Sequence, residues 1–197
     1  ADWGLLRAAP DCELPLHFES ADAPSIFAMR LTLVANATLF SSLLFGGLFL
    51  WLTGSSTPSE LSASHSPIVI FVLGVIASIA GLAAAKPAAW RIGFCVISLV
   101  CYLGAAGMQI IELGSETMAT SHALFAVKFA VQSYMAVHLI LGCVFSGFCI
   151  WRLSCGYVSP TRKNDFHIAR LWHGYCLGVV LIASFYPFVF TALRWGA

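Results

Sequence analysis

The chain has 197 residues, of which 59% are hydrophobic and only 10% charged, with a formal net charge of +1. A near-neutral chain lacks the basic excess that a nucleic-acid surface needs, and a mean hydropathy of +0.87 is far above that of a water-soluble domain. The apolar residues fall into five blocks, 26–52, 67–85, 92–113, 129–151 and 168–193. Each suits the ~20-residue helix that crosses a ~30 Å hydrocarbon core. Spanning strands are excluded, because they require a closed barrel with alternating polar and apolar positions, and these blocks are apolar on every face. The expected fold is all-α: a polytopic membrane bundle of five transmembrane helices forming one domain over 26–197.

Residues 1–25 differ from the rest. Asp2, Asp11, Glu13, Glu19 and Asp22 supply five of the nine acidic residues, with Pro10, Pro15 and Pro24 between them. A secretory signal starts basic and runs into a short apolar core, so the segment reads instead as a polar arm resting on the membrane surface or on a neighbouring subunit. Ala1 in place of an initiator Met is read as trimming or renumbering.

The first span carries Asn36 as its polar residue and a Ser42/Gly46 pair four apart. A breaker-rich loop, Thr53-Gly54-Ser55-Ser56-Thr57-Pro58, leads to the second span, where Gly74, Ala77 or Ser78, Gly81 and Ala85 form a small-residue stripe. Lys86-Pro87 then turns the chain into the third span, which ends with Gln109 and Glu112 on one helix face. Past Gly114-Ser115-Glu116, the fourth span sets Tyr134, His138 and Gly142 on one face, with Gln132 nearby and Ser146 a further turn on. The fifth follows the basic loop 159–165 and brings His173 near its start, with Gly174 and Gly178 four apart and Pro187 standing alone. Without a hydrophobic drive between helices in lipid, close approach through Gly, Ala and Ser takes over, so Gly142, Gly174 and Gly178 are expected packing points.

Orientation follows from the basic residues. Arg7, Arg30, Lys86, Arg91, Arg152, Arg162, Lys163 and Arg170 lie on one side and only Lys128 and Arg194 on the other. Eight against two places the amino terminus inside and the carboxyl terminus outside. Trp51 and Trp195 then belong to the outer aromatic belt, and Trp90, Trp151 and Trp172 to the inner one.

Cysteine is uninformative as a ligand here. Of the seven, Cys95, Cys101, Cys143, Cys149 and Cys176 lie inside spans, and neither CxxC nor CxxCH occurs. No zinc site, covalent haem or disulfide framework is signalled; buried thiols of this kind act as small hydrophobes. Asn36, Gln109, Glu112, Gln132, His138 and His173 are therefore the polar groups that matter. Ionisable groups at membrane depth cost about 2.5–3.5 kcal/mol on insertion scales and are functional by default. The plainer reading is a set of interhelical hydrogen bonds worth about 0.6 kcal/mol each. Glu112 near the outer end of the third span and His138 in the fourth are expected to face inward with Gln109, joined in one polar network.

Four segments carry a family resemblance. Gly107-Met108-Gln109-Ile110-Ile111-Glu112-Leu113 is similar to the G-x-x-Y-E-Y/F segment of subunit III of haem–copper respiratory oxidases. Tyr134-Met135-Ala136-Val137-His138-Leu139-Ile140-Leu141-Gly142 resembles that family's T-H-G-L-H-V-x-x-G, with His138 and Gly142 on its second His and its Gly. Leu171-Trp172-His173-Gly174-Tyr175-Cys176 resembles W-H-F-x-D, and Val34-Ala35-Asn36-Ala37-Thr38-Leu39-Phe40 resembles S-E/D-x-x-x-F. Their order and the polar loop before the last helix resemble the five-helix members found in bo-type quinol oxidases and in nitric oxide reductase clusters; the likeness covers about residues 28–190.

The resemblance implies a cofactor-free accessory subunit, not itself catalytic, that flanks subunits I and II and binds phospholipid. Haem and copper would belong to the catalytic partner, and the setting would be a bacterial inner membrane or a mitochondrial inner membrane. Three family positions are replaced by side chains neutral near pH 7: Asn36 for a carboxylate, Met135 for the first His and Cys176 for an Asp. An amide has no titrating proton, so proton capture through Asn36 is not expected.

Two other classes compete. A haem b-binding anchor would use His138 and His173 as axial ligands. Counted from the block ends at ~1.5 Å per residue, their depths differ by roughly 8–9 Å, which argues against one shared iron. A small transporter or channel would be expected to carry internal repeats with interrupted helices in matching positions, and none occurs in the sequence.

Overall fold

A computed structural model describes residues 5–9, 12–15, 24–53, 66–86, 90–115, 123–158 and 164–195. Five helices run in order: α1 (Pro24–Thr53), α2 (Ser66–Ala84), α3 (Arg91–Ser115), α4 (Ala123–Ser154) and α5 (Asn164–Trp195). α1, α3, α4 and the Asn164–Tyr186 part of α5 are long and apolar enough to cross a membrane, and α2 adds a shorter apolar stretch, Ile68–Ala84. The protein is a multi-pass membrane protein. The arm holds a hairpin the sequence did not suggest, β1 (Leu5–Ala9) antiparallel to β2 (Cys12–Pro15), with Leu6 opposite Leu14 and Arg7 opposite Glu13.

The helix ends follow local chemistry. Pro24 opens α1, where the missing N–H costs nothing. Asn164 and Asp165 open α5, suiting the positive end of its dipole. α4 ends in a Schellman motif: Gly156 takes a φ of 70°, its N–H donates to the Leu153 carbonyl (3.1 Å), and Tyr157 N–H donates to the Arg152 carbonyl (3.0 Å). Only glycine adopts that left-handed φ without penalty.

Successive helices run antiparallel. Ser98 Oγ donates to the Ala77 carbonyl (2.8 Å) across α2–α3, Gln109 bonds Gln132 across α3–α4, and Arg152 pairs with Asp165 across α4–α5 (2.7 Å). α2, α3, α4 and α5 form the closed block, while α1 touches only α4 and α5 among the described elements. The block's few polar side chains lie within a largely apolar core and its outer surface is apolar as well, the reverse of a water-soluble domain's polar exterior. Gln109, Ser78, Ser98, Ser146, His138 and His173 are buried, whereas Val100, Ile111 and Val144 point outward. That inversion suits a solvent of lipid tails.

Close approach is set by glycines, though not by all those expected. A Cβ on Gly81 would lie 2.5 Å from the His173 ring, one on Gly142 2.8 Å from the Tyr102 ring, and one on Gly74 3.0 Å from Val180. Gly47, rather than Gly46, receives the Tyr186 hydroxyl. Gly174 meets Leu82 only at ordinary van der Waals distance, and Gly178 and Gly46 have nothing within 4 Å. The expected packing role therefore falls to Gly142 and not to Gly174 or Gly178, because these two sit on sides of α5 turned away from its tight contacts. Trp172 also departs from expectation. It is 3% exposed, stacked inside the bundle and not in an interfacial belt. Trp90 and Trp151 do remain exposed. The side chain of Trp195 and residues Arg162 and Lys163 lie outside the described residues.

Candidate functional site

The polar side chains separate into three laterally connected clusters. The first is centred on His138, where α1, α4 and α5 meet. Its ring stacks on Tyr134, one turn earlier, at 4.1 Å between centroids, and on Trp172 of α5 at 5.2 Å with only 5° between planes. Tyr175 closes a third side at 5.5 Å. His138 Nδ1 lies 2.8 Å from the Tyr134 carbonyl. A carbonyl only accepts, so Nδ1 carries the proton and Nε2 is left as a lone-pair acceptor. The Cys176 thiol donates to the His138 carbonyl at 3.4 Å.

Tyr134 ties this cluster to α1. Its hydroxyl donates to the Asn36 carbonyl (2.9 Å) and lies 2.7 Å from the Tyr175 hydroxyl, while its ring stacks on Phe40 at 5.0 Å. Asn36 itself donates from Nδ2 to the Thr32 carbonyl (2.9 Å). Asn36 thus joins α1 to α4, chiefly through its backbone carbonyl and more weakly through Oδ1, 3.3 Å from the Tyr134 hydroxyl.

The second cluster lies between α2, α3 and α5. Ser78 Oγ donates to the Gly74 carbonyl (2.8 Å) and lies 3.0 Å from Tyr102 Oη, which lies 3.1 Å from His173 Nδ1. Each hydroxyl has one proton. Ser78 spends its proton on the carbonyl, so Tyr102 donates to Ser78 and His173 Nδ1–H donates to Tyr102. The chain runs one way, from imidazole to backbone. Beside it, Ser98 spends its proton on the Ala77 carbonyl, so Ser146 donates to Ser98 across 3.0 Å.

The third cluster joins three helices by amides: Gln109 Nε2 donates to Gln132 Oε1 (3.1 Å), and Gln132 Nε2 donates to the Ala183 carbonyl (3.2 Å). Glu112 is not brought to His138. The register set by Tyr102 against Gly142 and Gln109 against Gln132 places His138 beside the Ala105 region. Glu112 therefore lies about seven residues, roughly 10 Å, further along the axis. Gln109 and His138 do face inward, at 1% and 3% exposure, and Glu112 is half-buried.

The structure also corrects the depth argument for the histidines. His138 stacks on Trp172, the residue next to His173, so the two imidazoles sit at nearly the same level. What separates them is direction. Adjacent helical residues project about 100° apart, and His173 is turned toward Tyr102 and Gly81 while His138 occupies the α1 side. Each Nδ1 is bound within a separate cluster. Among the described residues, no group of three His, Cys, Asp or Glu side chains converges as a metal site.

At the α4–α5 turn, Arg152 pairs with Asp165 and lies 5.0 Å from the Tyr157 ring, and Arg91 sits 4.7 Å above Phe166. Sequence reasoning missed Tyr102 and Ser98, and read Ser78 only as a small packing residue. A tyrosine in mid-span was the available signal, since a buried hydroxyl there must find a partner. Neither a protein-family model nor a curated protein matches this chain.

Proposed function

We propose that this chain is a cofactor-free accessory subunit III of a haem–copper terminal oxidase, taking part in electron transport coupled to proton translocation without performing the redox step. One observation carries the reading: residues from three of the four family-like segments converge on His138. Asn36 bonds Tyr134, His138 stacks on Trp172, and Cys176 donates to the His138 carbonyl. Segments far apart in sequence thus serve one structural junction, which supports reading them as one pattern. The three replaced positions, Asn36, Met135 and Cys176, are packed or hydrogen-bonded with no proton to exchange near pH 7, so the chain stabilises subunit I rather than relaying protons into it.

In this reading all five helices span, the amino terminus faces the cytoplasm or matrix, and the apolar outer surface takes phospholipid and subunits I and II. The membrane is the bacterial inner membrane, or the mitochondrial inner one. The haem b anchor is the competing assignment, using His138 and His173; their separate hydrogen-bond sets weigh against it. Affinity purification of the tagged protein from native membranes tests the choice. A large haem- and copper-bearing membrane subunit in stoichiometric yield is expected. Recovery of the chain alone, or with only a transport ATPase or a soluble dehydrogenase, contradicts the proposal.

A further inference from the structure

The Ser78–Tyr102–His173 and Gln109–Gln132 clusters close on their own partners, whereas two atoms of the first cluster do not. His138 Nε2 and Trp172 Nε1 are both buried and have no hydrogen-bond partner among the described residues, and both residues are 3% exposed. They belong to one stacked pair, with centroids 5.2 Å apart and planes 5° from parallel. Their demands are opposite. The bond from Nδ1–H to the Tyr134 carbonyl leaves Nε2 an acceptor, whereas an indole N–H is a donor only.

An unsatisfied buried donor or acceptor costs about 1–3 kcal/mol, and apolar surroundings such as Phe145, 5.3 Å from Trp172, offer no relief. A cation would satisfy Nε2 alone and be repelled by the indole N–H. An anion would satisfy the N–H alone. A group that donates and accepts at once satisfies both. We propose that His138 and Trp172 together bind one hydroxyl group between α4 and α5, the imidazole Nε2 accepting its proton and the indole N–H donating to its oxygen. The hydroxyl belongs either to a trapped water, the usual answer to paired buried polar atoms, or to a lipid-soluble alcohol entering past the half-exposed Tyr134 and Tyr175.

The test is nitrogen NMR of the full chain in lipid nanodiscs, with histidine and the tryptophan indole labelled. The expected wild-type result is an unprotonated His138 Nε2 shifted in the sense of an accepted hydrogen bond. The Trp172 indole proton is expected to exchange magnetisation with water, or with the carbon-bound protons of a co-purified alcohol that delipidation removes. Either source supports the site and identifies the guest. Trp172→Phe is expected to return the Nε2 resonance toward its free-acceptor position. A wild-type Nε2 already at that position, or an indole proton whose neighbours are protein atoms alone, overturns the proposal, and both readings stand without the variant. Neither depends on the oxidase assignment.

Discussion

α1 and the α2–α5 block are both apolar, yet they are held by different means. Within the block, aromatic and aliphatic side chains press onto bare backbone at Gly74, Gly81 and Gly142, and hydroxyl chains end on the Gly74 and Ala77 carbonyls. Among the described residues, the directed contacts of α1 are Asn36 with Tyr134, Phe40 against Tyr134 and Gly47 beneath Tyr186, with partly buried Leu33, Leu43 and Leu44 packed against the core. Its own Thr32, Thr38 and Ser42 hydroxyls turn back to the carbonyls four residues earlier, so their protons are spent within the helix. In lipid, apolar content alone does not order helices; contact through small residues and directed hydrogen bonds does.

The sharpest way to break that contrast is to fill a glycine. Gly81→Ala forces a methyl into the His173 ring and is expected to cost about 2–3 kcal/mol, as overpacking does. Gly178→Ala, with open space around it, is expected to stay within about 0.5 kcal/mol of wild type. Equilibrium unfolding in mixed micelles compares the two. Equal losses would show that glycine contacts do not define the block.

Removing a hydroxyl comes next. Tyr102→Phe leaves Ser78 and His173 Nδ1–H without their shared partner and is expected to cost about 2 kcal/mol, spread over α2, α3 and α5. Tyr134→Phe acts on the weaker seam, with an expected loss of about 1 kcal/mol. Its signature is regional: hydrogen exchange rises in α1 and leaves α2–α5 protected. Exchange rising uniformly would mean that α1 is integral to the block.

The smallest effect is assigned to Glu112→Gln, within about 0.5 kcal/mol in the same unfolding assay. The register that carries Glu112 past His138 removes the reason to expect more. A loss comparable with that of Tyr102→Phe would put Glu112 back into the core network.

The helices were legible because, in a membrane, hydropathy and length nearly decide them. The 92–113 block lies inside Arg91–Ser115 and the 129–151 block inside Ala123–Ser154. Which groups would meet was less legible, since that depends on register and rotation between helices. Gln109, His138 and Gly142 could be marked as inward from spacing alone. The pairing of Glu112 with His138 could not be tested without the axial register, and counting from block ends misplaced His138 relative to His173. Trp172 misled because belt tryptophans and core tryptophans share a composition, and only its stack on His138 separates them. The hairpin in the arm escaped notice because Pro10 and Pro15 argue against strands, although Pro15 sits at the strand end, where its missing N–H is tolerated.

The most direct test of the accessory-subunit reading is where the haem goes when the complex is taken apart. Reduced-minus-oxidised spectra are recorded on the purified complex and then on this chain after mild detergent separation. The account predicts haem bands in the complex and in the partner fraction, with none in the separated chain. A haem band that stays with this chain, and disappears in His138→Leu while the complex still assembles, would contradict it.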